Sequence, residues 1–179
     1  LKNKQITSTS WEGYELMDAG GGKKLERWGK IITIRPEVNA YFRSGMPFEE
    51  WYKLAHVEFI LKKGQQGTWK TLNKEVPSEW NIFYNQFSFE LKQTSYKHLG
   101  LFPEQRSNWD FIKKHLIRDR KFLNLFAYSG AASCIARYQG ADTYHVDASK
   151  TALNTAKRNM DLNKLLNIRW VFEDAAKFL

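Results

Sequence analysis

The sequence predicts an α/β fold, a parallel sheet of the nucleoside-binding kind preceded by a small β-rich module, and three observations carry that prediction. An apolar run enters a small-residue turn with Gly130 at its tip (FLNLFAYSGAAS, residues 122–133), and a helical pattern follows. A second apolar run ends in Asp147 (TYHVDASK, residues 143–150). Ahead of both, short runs alternate apolar and polar residues with period two, as half-buried strands do. Glycine at the turn lets the backbone approach a ligand, the following helix presents unpaired N–H groups, and a carboxylate at the end of the second strand can accept both ribose hydroxyls.

Along the chain, residues 1–10 are polar and rich in Ser and Thr, and read as a disordered tail. Residues 11–96 read as the β-rich module, with strand patterns at YELM (14–17), KIITIR (30–35), HVEFIL (56–61), TWKTL (68–72) and FSFEL (87–91). GGG (20–22) and GQQG (64–67) fall between runs, where hairpins need residues that accept positive φ. The first resembles a phosphate loop only superficially, since no G-K-[ST] closes it and a strand pattern follows. Residues 97–179 then read as helix-β-α-β-α-β. The first helix begins near Pro103 with Trp109, Ile112 and Leu116 on one face. The helix after Gly130 ends at Gly140, and another starts near Ser149 with Ala152, Leu153, Ala156 and Met160 on its buried face. This is half of a Rossmann-like sheet.

Composition bounds the function classes. Of 179 residues, 42% are apolar and 15% aromatic, enough to build real cores. No apolar run approaches the length of a membrane-spanning helix, and the polar start carries no signal-peptide pattern, so a cytoplasmic protein is expected. The single cysteine, Cys134, can form neither an internal disulfide nor a zinc cluster, and reads as a small buried packing residue. A net charge of +9, from 28 Lys and Arg against 19 Asp and Glu, makes a polyanion the simplest partner. Trp51, Trp69, Trp80, Phe83 and Tyr84 in the β module could stack on RNA bases if exposed, though general burial tendencies favour the core.

Two ligands compete for the βαβ unit. A dinucleotide site needs G-x-G-x-x-G, and aligning Gly130 with its second glycine puts Tyr128 and Ser133 where the others should be. S-adenosylmethionine carries no phosphate, and its site needs one close backbone approach and an acid for the ribose. The methyl donor fits better.

At these residues the chain also resembles a family. KHLGLFPEQRSNWD (97–110), FLNLFAYSGAAS and TYHVDASK, in that order, look like the class I S-adenosylmethionine-dependent methyltransferases related to the bacterial 23S rRNA large-subunit enzymes of the RlmI/RlmK type, over roughly residues 11–179. Generic members carry an acid and several glycines in the first motif. Here Asn124 takes the acidic position, and Phe126 and Tyr128 take glycine positions, a variant the related RNA enzymes tolerate. The resemblance implies a cofactor site of Asn124, Phe126, Ala127, Tyr128, Ser129 and Gly130 in the first motif and Asp147, Ala148 and Ser149 in the second. It further implies Asp174 on the adenine amino group, the Ala175 backbone on a ring nitrogen, and Lys97, Phe102 and Gln105 folding over the pocket. Asp147 and Asp174 are also placed to be ordinary helix caps. A side chain added at Gly130 is expected to block the ligand more than it disturbs the fold.

The chain ends at EDAAKFL (173–179), which resembles the end of the family's third strand, and the Asn/Asp-Pro-Pro motif that holds the acceptor base has no counterpart. With Leu1 in place of an initiator methionine, the sequence reads as a fragment, expected to be inactive alone and to self-associate through an unpaired first strand. The expected function is S-adenosylmethionine-dependent methylation of a base, in ribosomal RNA by resemblance. A non-catalytic RNA-binding module would differ by lacking saturable cofactor binding. An NAD-dependent oxidoreductase would need the two missing glycines.

Overall fold

The computed structural model describes residues 11–64 and 66–179; the tail expected at residues 1–10 lies outside them. Those residues divide into a β-rich unit, Trp11–Tyr84 with Leu91–Leu99, and an α/β unit, Asn85–Glu90 with Gly100–Leu179.

In the β-rich unit, β1 (Tyr14–Gly20), β2 (Lys23–Trp28) and β3 (Ile31–Pro36) form an antiparallel meander. Gly21 and Gly22, with φ of 55° and 78°, make the first turn, as the glycine run requires. Helix α1 (Phe48–Leu54) then crosses over, so β4 (Val57–Lys63) lies parallel to β3, and β5 (Gln66–Thr71) returns antiparallel. The sheet order is β1-β2-β3-β4-β5. Trp51 of α1 packs on Leu25 and Ile34. Glu26, buried, accepts two hydrogen bonds from Arg35, at 2.7 and 2.8 Å, and one from Tyr14 at 2.9 Å. Burial alone would raise its pKa, but Arg35, joined by Lys24 and Tyr14, outweighs that and holds the carboxyl below its usual range. β6 (Glu79–Tyr84) follows in this unit, and β7 (Phe87–Lys92) is the next strand along the chain.

Of the aromatics singled out from the sequence, Trp51 and Tyr84 are core residues, Trp69 and Trp80 are half-buried, and Phe83 is exposed.

The α/β unit opens with a 3-10 turn at Pro103–Gln105 and α2 (Arg106–His115). Then come β8 (Lys121–Leu125), α3 (Ala131–Tyr138), β9 (Asp142–Asp147), α4 (Lys150–Leu162), β10 (Ile168–Phe172) and the short α5 (Ala175–Phe178). The strands are parallel in the order β10-β9-β8, as βαβ crossovers dictate. Ile135 and Ala136 of α3, Val146 of β9, and Leu153 and Ala156 of α4 fill the core. No helix among the described residues is long and apolar enough to cross a membrane.

Candidate functional site

Residues 126–130 after β8 alternate into the left-handed region, with φ of 53° at Phe126, 50° at Tyr128 and 80° at Gly130. Phe126 and Tyr128 therefore hold the glycine-like conformations that the motif alignment assigns to their positions, at about 1 kcal/mol or more each. Hydrogen bonds fix the loop against that strain. Ala127 N donates to Val146 O (3.1 Å), Tyr128 N to Asp147 Oδ2 (2.7 Å) and Gly130 N to Ala127 O (3.0 Å), while Asn159 Nδ2 donates to Ser129 O (2.8 Å). Because the N–H groups of residues 127, 128 and 130 are engaged, the loop is not a nest of free donors for a phosphate.

Asp147 closes β9 at the carboxyl edge of the sheet, where open parallel sheets bind ligands. Its Oδ1 accepts from Ser149 N at 2.8 Å, so each oxygen takes one backbone donor and keeps a further lone pair. Ser149 caps α4 by accepting from Ala152 N at 3.2 Å, and Ala148 is exposed beside it. Phe172 pairs in register with Asp147, which brings Asp174 to the same edge. Asp174 Oδ1 caps α5, accepting from Ala176 N (2.9 Å) and Lys177 N (3.3 Å), and Ala175 is buried behind it.

A cleft of about 320 Å³ opens on this edge, walled by Leu101, Phe102, Gln105, Trp109, Asn124, Leu125, residues 126–129, Ala131 and Ala132. Seven of the sequence-derived site residues are on the wall: Phe102, Gln105, Asn124, Phe126, Ala127, Tyr128 and Ser129. The Phe102 and Tyr128 rings meet at 5.0 Å between centroids. The N-cap Gly130 offers no side-chain acceptor, so the first N–H groups of α3, at Ala131 and Ala132, stay uncapped at the wall. Asp147, Ala148, Ser149, Asp174 and Ala175 lie outside the wall itself. Lys97 is tied down in the β-rich unit, its ammonium donating to Pro36 O at 3.2 Å, and is left out of the site proposed below.

The expectation for Gly130 needs correction. A Cβ there would lie 2.9 Å from Ala156 Cβ and 3.3 Å from His145 Cε1, inside the packing of α4 and β9 rather than in the cleft. Gly130 serves the close approach of helix to loop, and a side chain would strike the fold first.

Beneath the loop lies a polar relay that periodicity did not reveal. Asn124 Nδ2 lies 2.9 Å from Ser133 Oγ, which lies 3.0 Å from His145 Nδ1. Ser133 and His145 are fully buried, and burial pushes the imidazole down to about 4, against the opposing pull of Asp147 and the Tyr128 backbone. The only sequence signal was one polar residue inside an apolar strand. Asn159 was missed as well: fully buried, it also accepts from Glu90 N at 2.9 Å, while Arg158 binds the Glu90 carboxylate through two nitrogens at 2.8 and 2.7 Å. Cys134 is buried as expected, with its thiol pushed up to about 12 by desolvation, and is no nucleophile.

A larger depression, about 510 Å³, lies between Asp119, Arg137, Asp142, Asn167 and Arg169, at the amino ends of β9 and β10. Arg137 donates to the Leu166 and Ala141 carbonyls and Arg169 to Asp142, so the guanidinium groups there are engaged.

The parallel sheet, the strained loop after its first strand and the acid closing its second define the Rossmann-like fold of the class I S-adenosylmethionine-dependent methyltransferases. One solved example, from Agrobacterium tumefaciens, matches with a TM-score of 0.89 and 36% identity over 96% of this chain and 56% of its own. More particularly, the chain is a homologue of the ribosomal RNA large subunit methyltransferases K/L and I. It is 35% identical over 144 residues to the K/L enzyme of Pseudoalteromonas atlantica, covering 80% of this chain and 19% of that protein. It is 28% identical over 152 residues to the I enzyme of Alteromonas mediterranea, covering 83% of this chain and 35% of that protein. The chain thus spans well under half of these curated relatives. No family model matches it.

Proposed function

We propose that the chain binds S-adenosylmethionine in the cleft at the carboxyl edge of its parallel sheet and serves the methylation of a base in ribosomal RNA, in the cytoplasm. The observation that carries this reading is Asp147. It is held by Tyr128 N and Ser149 N at the strand end, with a lone pair left on each oxygen for a ribose diol. A loop whose donors are already engaged favours a ligand without phosphates. In this reading Asp174 and the Ala175 backbone take the adenine, Phe126 and Ala148 flank the nucleoside, and the uncapped start of α3 takes the methionine carboxylate. Phe102, Gln105 and Tyr128 form the wall near the reacting end.

Bound there, the cofactor supplies a sulfonium methyl group for direct transfer to a base nitrogen or carbon. The protein's own part is orientation and exclusion of water. A base in structured RNA must also be unstacked to reach such a cleft. The net charge of +9 suits a phosphate-bearing acceptor, and the names of the relatives point to ribosomal RNA. β8 is an outer strand of its sheet among the described residues, with Leu123 exposed, and in this reading it favours self-association.

Isothermal titration of the chain with S-adenosylmethionine and, separately, with NAD is the direct test. Saturable binding of the first and none of the second is expected; the reverse would replace this reading with an oxidoreductase. RNA binding is expected to weaken linearly in log salt, and a salt-insensitive interaction would argue against a phosphate-tracking surface.

A further inference from the structure

Asn124 is a cleft-wall residue whose side chain is tied to a buried polar pair. Its Nδ2 is the end facing Ser133 Oγ, at 2.9 Å, its Oδ1 has no hydrogen-bond partner among the described residues, and the residue lines the cleft. A primary amide nitrogen only donates, so Ser133 Oγ accepts from it and has its single proton available for His145 Nδ1, 3.0 Å away. Nδ1 can take that proton only when it is bare. In a neutral imidazole the proton then sits on Nε2, a nitrogen sealed from solvent with no partner at hydrogen-bond distance. Burial keeps the ring neutral, and the Tyr128 backbone favours a proton on it. With Nε2 protonated, the proton order runs in one direction, from Asn124 to Ser133 to His145.

That order fixes which end of the carboxamide meets the cleft. A free Asn exchanges oxygen for nitrogen by a half-turn about its last torsion, presenting an acceptor in one state and two donors in the other. We propose that Ser133 and His145, which do not line the cleft, are positioning residues that lock Asn124 with Oδ1 outward as a fixed acceptor for a cationic donor of the ligand. This rests on the cofactor reading above, in which the donor of matching chemistry is the ammonium of the methionine end. An Asp at position 124 could not donate to Ser133. The hydroxyl would turn to the carboxylate, and His145 would have to supply a proton from Nδ1.

The test has two arms. In the first, two-bond 15N–1H correlation spectra of the histidine rings are recorded on the chain, which has four histidines, with His145→Gln to assign the signal. The Nε2–H tautomer is expected in the wild type, and a protonated Nδ1 in Asn124→Asp. In the second, calorimetry compares S-adenosylhomocysteine with methylthioadenosine, which lacks the amino-acid end. Asn124→Leu is expected to weaken the first about tenfold or more. Ser133→Ala should weaken it about threefold, because the ligand must then order an amide no longer held. Methylthioadenosine should bind all three proteins alike. A purely structural role would move both ligands together, and Asn124→Leu keeps the test open if Ser133→Ala folds poorly. An Nδ1–H tautomer in a wild type that binds S-adenosylhomocysteine would overturn the relay alone. Equal losses for both ligands, or none for either, would overturn the positioning role. A wild type that binds neither ligand would overturn the cofactor reading and this inference with it.

Discussion

Substituting Gly130 by alanine distinguishes a glycine kept for the ligand from one kept for the fold. The added Cβ would meet Ala156 Cβ at 2.9 Å, Ala156 Cα at 3.4 Å and His145 Cε1 at 3.3 Å, where carbon contacts ordinarily lie at about 3.5–4.0 Å. Ala156 is fully buried on α4 and has no rotamer to retreat to, so the helix or the loop must move. Such overpacking costs about 1–3 kcal/mol. Holding alanine at φ 80° adds about 1 kcal/mol. A loss of about 2–4 kcal/mol should lower the melting temperature of a unit this size by some 10–25 °C, on the order of 4–8 °C per kcal/mol. The assay is a thermal melt followed by near-ultraviolet circular dichroism, with S-adenosylmethionine affinity measured well below the transition. There the variant is expected to bind within about twofold of wild type, since the methyl group points away from the cleft. A melting temperature within a few degrees of wild type together with abolished binding would refute the reasoning and return Gly130 to the ligand.

Other perturbations follow the same geometry. Asp147→Ala should weaken S-adenosylmethionine by about 1.5–3 kcal/mol, the scale of charge-assisted hydrogen bonds, as read by calorimetry. Unchanged affinity would remove Asp147 from the site. Asn159→Leu leaves Ser129 O and Glu90 N without their partner, each costing about 1–3 kcal/mol, and should show in urea unfolding; a shift under about 0.5 kcal/mol would contradict that account. His145, held at about 4 when folded against an unfolded value of 6.5, binds its proton more readily in the unfolded chain. Its contribution is therefore complete above pH 6.5 and lost as pH falls toward 4, about 3 kcal/mol at about 1.4 kcal/mol per pH unit. The slope of stability over that window should flatten in His145→Gln, and an unchanged slope would show that the ring titrates normally.

How much of this was legible in the sequence depended on whether the cause was local. The period-two runs located β1, β3, β4, β5 and β7 because each half-buried strand shows its two faces in alternation. Helix α1 was not foreseen, since seven residues are too few to display a helical period, and with it went the parallel pairing of β3 and β4 that its crossover creates. β6 was missed because Phe83, exposed between buried Ile82 and Tyr84, puts an apolar residue on its outer face and blurs the alternation. Phe126 and Tyr128 at motif glycine positions were legible as anomalies, and the structure shows them holding glycine-like dihedrals. The role of Gly130 was not legible, because what a Cβ would meet there belongs to α4 and β9. Met160 was expected on the buried face of α4, but Asn159 is the fully buried residue, its amide satisfying a loop carbonyl and a strand N–H that no local pattern announces. The Asn124 relay likewise joins β8, α3 and β9, and only tertiary structure brings them together.

The central claim is that the cleft beside Asp147 is the cofactor site, and a crystal structure of the chain with S-adenosylhomocysteine tests it most directly. The account predicts the ribose hydroxyls within hydrogen-bond distance of both Asp147 oxygens, the adenine toward Asp174 and the amino-acid end near Asn124 and the start of α3. A ligand seated instead in the depression between Arg137 and Arg169, or a ribose that leaves Asp147 bound to Tyr128 N and Ser149 N alone, would contradict it.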